Sequence, residues 1–301
     1  MQATPTLLEL ASRRRRALVL GAGGASDLIQ ALPVANFLRL VGVEIVFGGT
    51  AFCCWGAEGG GSSREAAPRL YDVAGLQPAR TLARHVVRVD SASRYLGHRP
   101  AEAILAEFLG APALACGLMG GVTGLRDSLA KAIAELHIDL VVAVDLVGEV
   151  TNDGVEIVKT HASLAERALV AALSELEAPV IYAFGGYGVA AERPPEAPDA
   201  RIGALRRAAG CLGAIEPSHT EGQEMLAAYA LFPESGAGRL TPLAATVLLF
   251  GPLTLTDEAG ATRLKATTSL QAIERLDRAG RGPSLETRWR PVARFRGDDI
   301  G

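Results

Sequence analysis

Cysteine is scarce: Cys53, Cys54, Cys116 and Cys211 are the four in 301 residues, with no C-x-x-C spacing. That leaves no disulfide framework and fits a reducing, cytoplasmic compartment. The chain also lacks Walker A, G-x-S-x-G and H-E-x-x-H motifs, so common NTPase, serine hydrolase and zincin chemistry have no support. Its five histidines (His85, His98, His137, His161, His219) fall at no metal-ligand spacing. Neither sign of charge dominates, since 30 Lys and Arg face 33 Asp and Glu for a formal net charge of -3. Nucleic acid and acidic membrane are therefore not expected partners. Arg13 to Arg16 is the one basic block, and it reads as the solvated approach to a strand. No apolar signal core follows the first charges, so secretion is not expected. The uncharged, apolar stretch Leu240 to Thr256 is interrupted by Pro242 and Pro252 and is short for a bilayer span. Abundant Ala and Arg with few Lys fit a GC-rich bacterial genome.

What the chain does have is a βα opening. Ala17-Leu18-Val19-Leu20 is a short apolar run of buried-strand type. Gly21, Gly23 and Gly24 follow, then Ser26 and Asp27, then an apolar helix through Leu38. Glycines at such a turn let a ligand approach backbone N–H groups at a helix N-terminus, which suits an anionic or nucleotide-like group. The dinucleotide fingerprint is incomplete. Ser26 stands where its third glycine belongs, and the second strand, Val43 to Thr50, carries no acid at its end. A nucleotide-dependent oxidoreductase is accordingly the least favoured reading. Asp27 disfavours a bare phosphate unless a cation intervenes.

Further along, the same pattern recurs. Strands are expected at 85–90, 113–116, 140–144 and 179–184, and helices at 101–109, 125–136 and 162–176. Later helical segments are expected near 201–211, 219–231 and 268–279. The continuous apolar run Leu140 to Val144 requires burial on both faces, hence a parallel sheet under helices. Gly21–Asp27, Gly48–Thr50, Asp90, Gly117–Gly124, Asp145–Asp153 and Gly185–Gly188 all fall at expected strand ends. Ligands bind outside the carboxyl ends of such strands. Glycine and acid thus converge on one edge.

The loop from Asp145 to His161 is acidic, with Asp145, Glu149, Asp153 and Glu156 inside twelve positions. Carboxylates suit hard cations such as Mg²⁺ or Mn²⁺. Asp153 and Glu156 belong to a loop or hairpin with a strong turn signal at Asn152-Asp153-Gly154 and read as surface. Asp145, at a buried strand end, is the stronger candidate. Cys53 and Cys54 have no nearby histidine to activate them and read as small buried thiols. Thr220 and Gln223 form a capping-box pattern beside His219.

These blocks resemble the domain-of-unknown-function 1152 family. The matching motifs are Gly21-Ala22-Gly23-Gly24-Ala25-Ser26-Asp27, Ala31-Leu32-Pro33, Gly48-Gly49-Thr50, Gly120 to Leu125 and Asp145 to Leu169. Thr220-Glu221, Thr241 to Ala245, Ser269-Leu270 and Arg281 to Thr287 extend the likeness, which runs from about residue 17 to 288. Ala25 and Ser26 replace two glycines, Leu146 and Val147 replace small residues, and Glu149 stands in place of Asp, marking a divergent member. The resemblance implies architecture more than activity.

The expectation is a Rossmann-like, doubly wound α/β fold with a mostly parallel sheet and a helical C-terminal portion. Residues 1–16 form a lead-in, 17–250 the α/β domain, and 251–301 an extension packed on it. The expected function is an enzyme, a metal-dependent hydrolase or transferase, acting on a small polar metabolite at the carboxyl edge. The alternative is a non-catalytic metabolite-binding or accessory protein, and a homo-oligomer is compatible with either. Asp145, Glu149 and Asp27 are the candidate catalytic and metal-binding residues. Gly21, Gly23, Gly24, Ser26, Gly48, Gly49, Thr50, Gly120 and Gly121 are the candidate ligand-binding ones. Mg²⁺ or Mn²⁺ is the candidate cofactor.

Overall fold

A computed structural model describes residues 6–53, 69–146, 161–187, 211–215, 217–232, 253–256, 262–266 and 270–276. After a short helix, α1 (Leu7–Ala11), the chain enters β1 (Arg16–Gly21), α2 (Ala25–Leu40) and β2 (Glu44–Thr50). Short strands β3 (Phe52–Cys53), β4 (Arg69–Leu70), β5 (Leu76–Gln77), β6 (Arg80–Ala83), β7 (Val86–Val89) and β8 (Arg94–Tyr95) precede α3 (Ala101–Leu109). Then come β9 (Ala113–Cys116), α4 (Gly121–Glu135), β10 (Leu140–Leu146), α5 (His161–Ser174) and β11 (Val180–Tyr187). The described remainder is β12 (Cys211–Ile215), α6 (His219–Tyr229), β13 (Leu253–Thr256), β14 (Thr262–Ala266) and β15 (Leu270–Leu276).

Nine of these strands make one sheet, in the order β12-β15-β11-β10-β1-β2-β9-β7-β6. The central five, β11-β10-β1-β2-β9, are parallel throughout. Ala17 to Leu20 of β1 and Leu140 to Val144 of β10 are buried on both faces, as their unbroken apolar runs require. Side chains alternate between two cores. Ala17 and Val19 face one core with α2, α3 and α6, while Leu18 and Leu20 face another with α4 and α5. The fold is a Rossmann-like α/β sandwich. α2 is buried around most of its girth because α3 and α6 flank it on the sheet.

Chain order fixes where this sheet opens. From β1 the chain steps outward through β2 to β9, then returns to β10 on the other side of β1 and continues to β11. The winding reverses between β1 and β10. At such a switch point the helices leave in opposite senses and a crevice opens beyond the carboxyl ends.

The outer strands correct three expectations. The segment near 268–279, expected to be helical, is β15, antiparallel to both β11 and β12. Leu270, Ile273 and Leu276 recur in threes like a helix stripe, but the open edge of β11 satisfies the segment's backbone laterally instead. β15 is therefore part of the sheet, not of an extension packed on a domain ending at residue 250. Asp90, expected at the carboxyl edge, follows β7, which runs antiparallel to β9 and delivers it to the opposite edge. The helix expected from His219 is present as α6, but its capping box is Ser218 with Glu221, not Thr220 with Gln223. No helix among the described residues is long and apolar enough to cross a membrane.

Candidate functional site

The β1–α2 turn is tied from both sides. Ala22 N–H donates to Val144 O of β10 at 2.8 Å. From β2, Thr50 Oγ1 donates to Ala22 O at 2.9 Å. Gly21 lies directly under the first turn of α2, where a Cβ would sit 2.7 Å from Leu28 N. Only a residue without a side chain lets the helix begin so close to its strand.

Asp27 enters this turn from α2 and takes the Gly23 N–H on its Oδ2. Asp145, at the end of β10, and Glu166, in the second turn of α5, meet it there. One carboxylate oxygen from each lies within 4.8 Å of the others. All three side chains are buried, at 4%, 0% and 5% exposure for Asp27, Asp145 and Glu166. Gly23 is a packing necessity in this cluster, since a Cβ there would collide with Asp27 Oδ2 and lie 2.5 Å from Glu166 Oε1. Asp145 Oδ2 accepts a 2.7 Å hydrogen bond from the buried Tyr182 hydroxyl of β11. Burial, followed by the negative charge of Asp145, Glu166 and Asp27, raises the Tyr182 phenol well above its usual range. It stays protonated and so donates to the Asp145 carboxylate.

Three buried carboxylates this close repel strongly when all are ionised, because little water screens them. The arrangement suits a cation, and oxygen ligands suit a hard one. It does not suit a bare phosphate. The N–H that an anion would claim, that of Gly23, is already given to Asp27.

The structure thus brings together Asp27, Asp145 and Gly23 of the sequence candidates, with Gly21 and Thr50 fixing the turn. Ser26 lies in the first turn of α2, and Gly24 precedes that helix where an added Cβ would make only an ordinary contact with Phe52. Other glycines are filled by neighbours. A Cβ at Gly48 would lie 2.7 Å from Leu20 Cδ2, and one at Gly49 would lie 2.8 Å from Glu102 Oε1. At the second glycine turn a Cβ on Gly120 would collide with His85 Nε2, so the imidazole occupies that notch. Burial lowers the His85 pKa, with the neighbouring Arg84 adding to the effect and Asp72 opposing it. Gly121 has φ of +65°, a conformation that favours glycine at the start of α4. Burial, reinforced by Glu102, pushes the Cys116 thiol far above its ordinary range, which makes it inert. Glu149, Cys54, Asp153 and Glu156 lie outside the described residues.

Glu166 and Tyr182 are the members of the cluster that sequence reasoning missed. Glu166 did leave a signal. It stands on the apolar stripe of α5, three residues before Leu169 and seven before Leu173, both fully buried. A carboxylate on a buried helix stripe needs a partner.

A doubly wound α/β sandwich with three buried acids at its switch point defines the class of protein. More particularly, the family model described as "Protein of unknown function (DUF1152)" matches residues 18–279, and the chain belongs to that family. No curated protein and no solved structure matches it.

Proposed function

We propose that the β1/β10 crevice is the active site of an enzyme, a hydrolase or transferase, that acts on a small polar metabolite with a divalent cation, Mg²⁺ or Mn²⁺. Asp27, Asp145 and Glu166 would hold the cation. The observation that carries this reading is their convergence within 4.8 Å at the point where the strand order reverses. Burial adds weight, because fixed oxygens in a dry setting act on a cation far more strongly than in water. An anionic group of the metabolite would reach these acids through the cation, which supplies Lewis-acid activation or a lowered water pKa. The chain's own part is to orient. The Gly23 N–H and the Tyr182 hydroxyl each fix one oxygen of an acid, and Thr50 holds the turn that carries Asp27.

Elemental analysis of the purified protein, with melting curves in chelator and in millimolar Mn²⁺, tests the reading. A ligand that binds only the folded state adds about 2.7 kcal/mol at 100 times its Kd. Bound Mg or Mn and a higher melting temperature in Mn²⁺ are the expected results. Identical curves in Mn²⁺ and chelator, with no metal retained, would overturn it.

A further inference from the structure

We propose that Glu102 is a proton-operated switch at the carboxyl edge of the sheet: neutral, its carboxyl packs α3 against β2, and ionised, it loosens that contact beside the β1–α2 turn. Glu102 is the second residue of α3 and is completely buried. Its Oε2 accepts a 2.6 Å hydrogen bond from the Tyr71 hydroxyl. Its Oε1 has no hydrogen-bond partner among the described residues and lies against Gly49 of β2.

The surroundings offer an anion almost nothing. Among the described residues, Tyr71, after β4, and the Cys116 thiol, at the end of β9, are the titratable groups that face it. β2 presents Gly49 and α2 presents Leu28, while β7 contributes Val87 and Val89 to the same apolar cluster. None of these is a cation. A buried carboxyl helped only by the Tyr71 hydroxyl and its own backbone N–H is far cheaper to keep protonated than ionised. Accordingly, burial pushes its pKa up to about 7, against the opposing hydrogen bonds from Tyr71 and from its own backbone. The transition then falls where modest changes of pH can work it.

The contact reaches the site through consecutive residues. Gly49, touched by Oε1, precedes Thr50, whose hydroxyl holds the Ala22 carbonyl in the turn that carries Asp27. The proposal itself stands whether or not a cation binds at Asp145.

The sign follows from linkage. Unfolded Glu102 releases its proton near the ordinary value of 4.5, whereas folded Glu102 keeps it until about 7. Its contribution to stability is therefore full at low pH, falls as pH rises through that window, and is level above it. Melting temperatures of the full chain from about pH 5 to about pH 8 should show wild type losing ground to Glu102→Gln as pH rises. Parallel curves would overturn the proposal. Should Glu102→Gln fail to fold, ¹³C-carboxyl titration of the wild type decides the matter. One glutamate titrating near 7 supports the switch, and all titrating below about 5 sinks it. Amide protection at Thr50 and Ala51, corrected for intrinsic exchange, should drop over the same window in wild type. Constant protection would overturn the loosening.

Discussion

Tyr182 donates its hydroxyl proton to Asp145 Oδ2 at 2.7 Å, from one central strand to the next, with both side chains buried. The pairing is possible because β10 and β11 are parallel and Tyr182 lies beside Ala143, one residue pair below Asp145 on the same face. Two adjacent strands thus supply an acid and the donor that fixes its orientation. Such a bond contributes little net energy when made and a good deal when broken, since the remaining buried acceptor loses both water and partner.

Tyr182→Phe keeps the ring and removes only the donor. The expected result is a loss of about 1–3 kcal/mol in denaturant unfolding, with an unchanged slope against denaturant. A variant as stable as the wild type would show that this hydrogen bond does not hold Asp145.

Two glycines three and four residues before Asp27 should behave oppositely. A Cβ on Gly23 would meet the carboxylates of Asp27 and Glu166, whereas one on Gly24 would meet only Phe52 at 3.6 Å, an ordinary contact. Gly23→Ala should therefore displace the acids, lower stability and abolish any cation response. Gly24→Ala should leave both within about 0.5 kcal/mol of wild type, as uncrowded substitutions do. Equal behaviour of the two variants in melting curves would mean that residue 23 is not packed between the acids.

The sequence was most readable where one physical demand acts alone. β1 and β10 announce themselves because burial on both faces needs an unbroken apolar run, and the glycine turn because a helix must start hard against its strand. Asp145 follows because it stands where a strand of known direction ends, and Asp27 because it opens the helix that leaves the glycine turn. β15 was hidden, because three-residue apolar spacing describes a helix unless a sheet edge is waiting. Asp90 was misplaced for a related reason, as the direction of β7 is a tertiary fact. Glu166 is the instructive omission. It lies on a helix stripe that reads as core, and only folding α5 over β10 turns a buried glutamate into the third acid of the cluster. The glycines at 48, 49 and 120 show the converse, since a side chain from elsewhere in the chain fills each space that sequence reasoning assigned to a ligand.

Glu166→Gln separates a cation site from a merely crowded group of acids, because two effects of opposite sign are expected. In chelator, removing one of three mutually repelling carboxylates relieves Coulomb energy, so the variant should melt above the wild type. In Mn²⁺ it lacks one charged ligand, and its gain should shrink. If affinity drops 100-fold, a concentration that stabilises wild type by about 2.7 kcal/mol stabilises the variant by only about 0.4 kcal/mol. The two melting curves should therefore approach or cross as Mn²⁺ is added. Glutamine preserves the size of the side chain, so a packing defect cannot mimic a higher melting temperature in chelator. A variant that starts lower than wild type and gains as much from Mn²⁺ would remove Glu166 from the site. The third acid would then serve only to hold α5 over the end of β10.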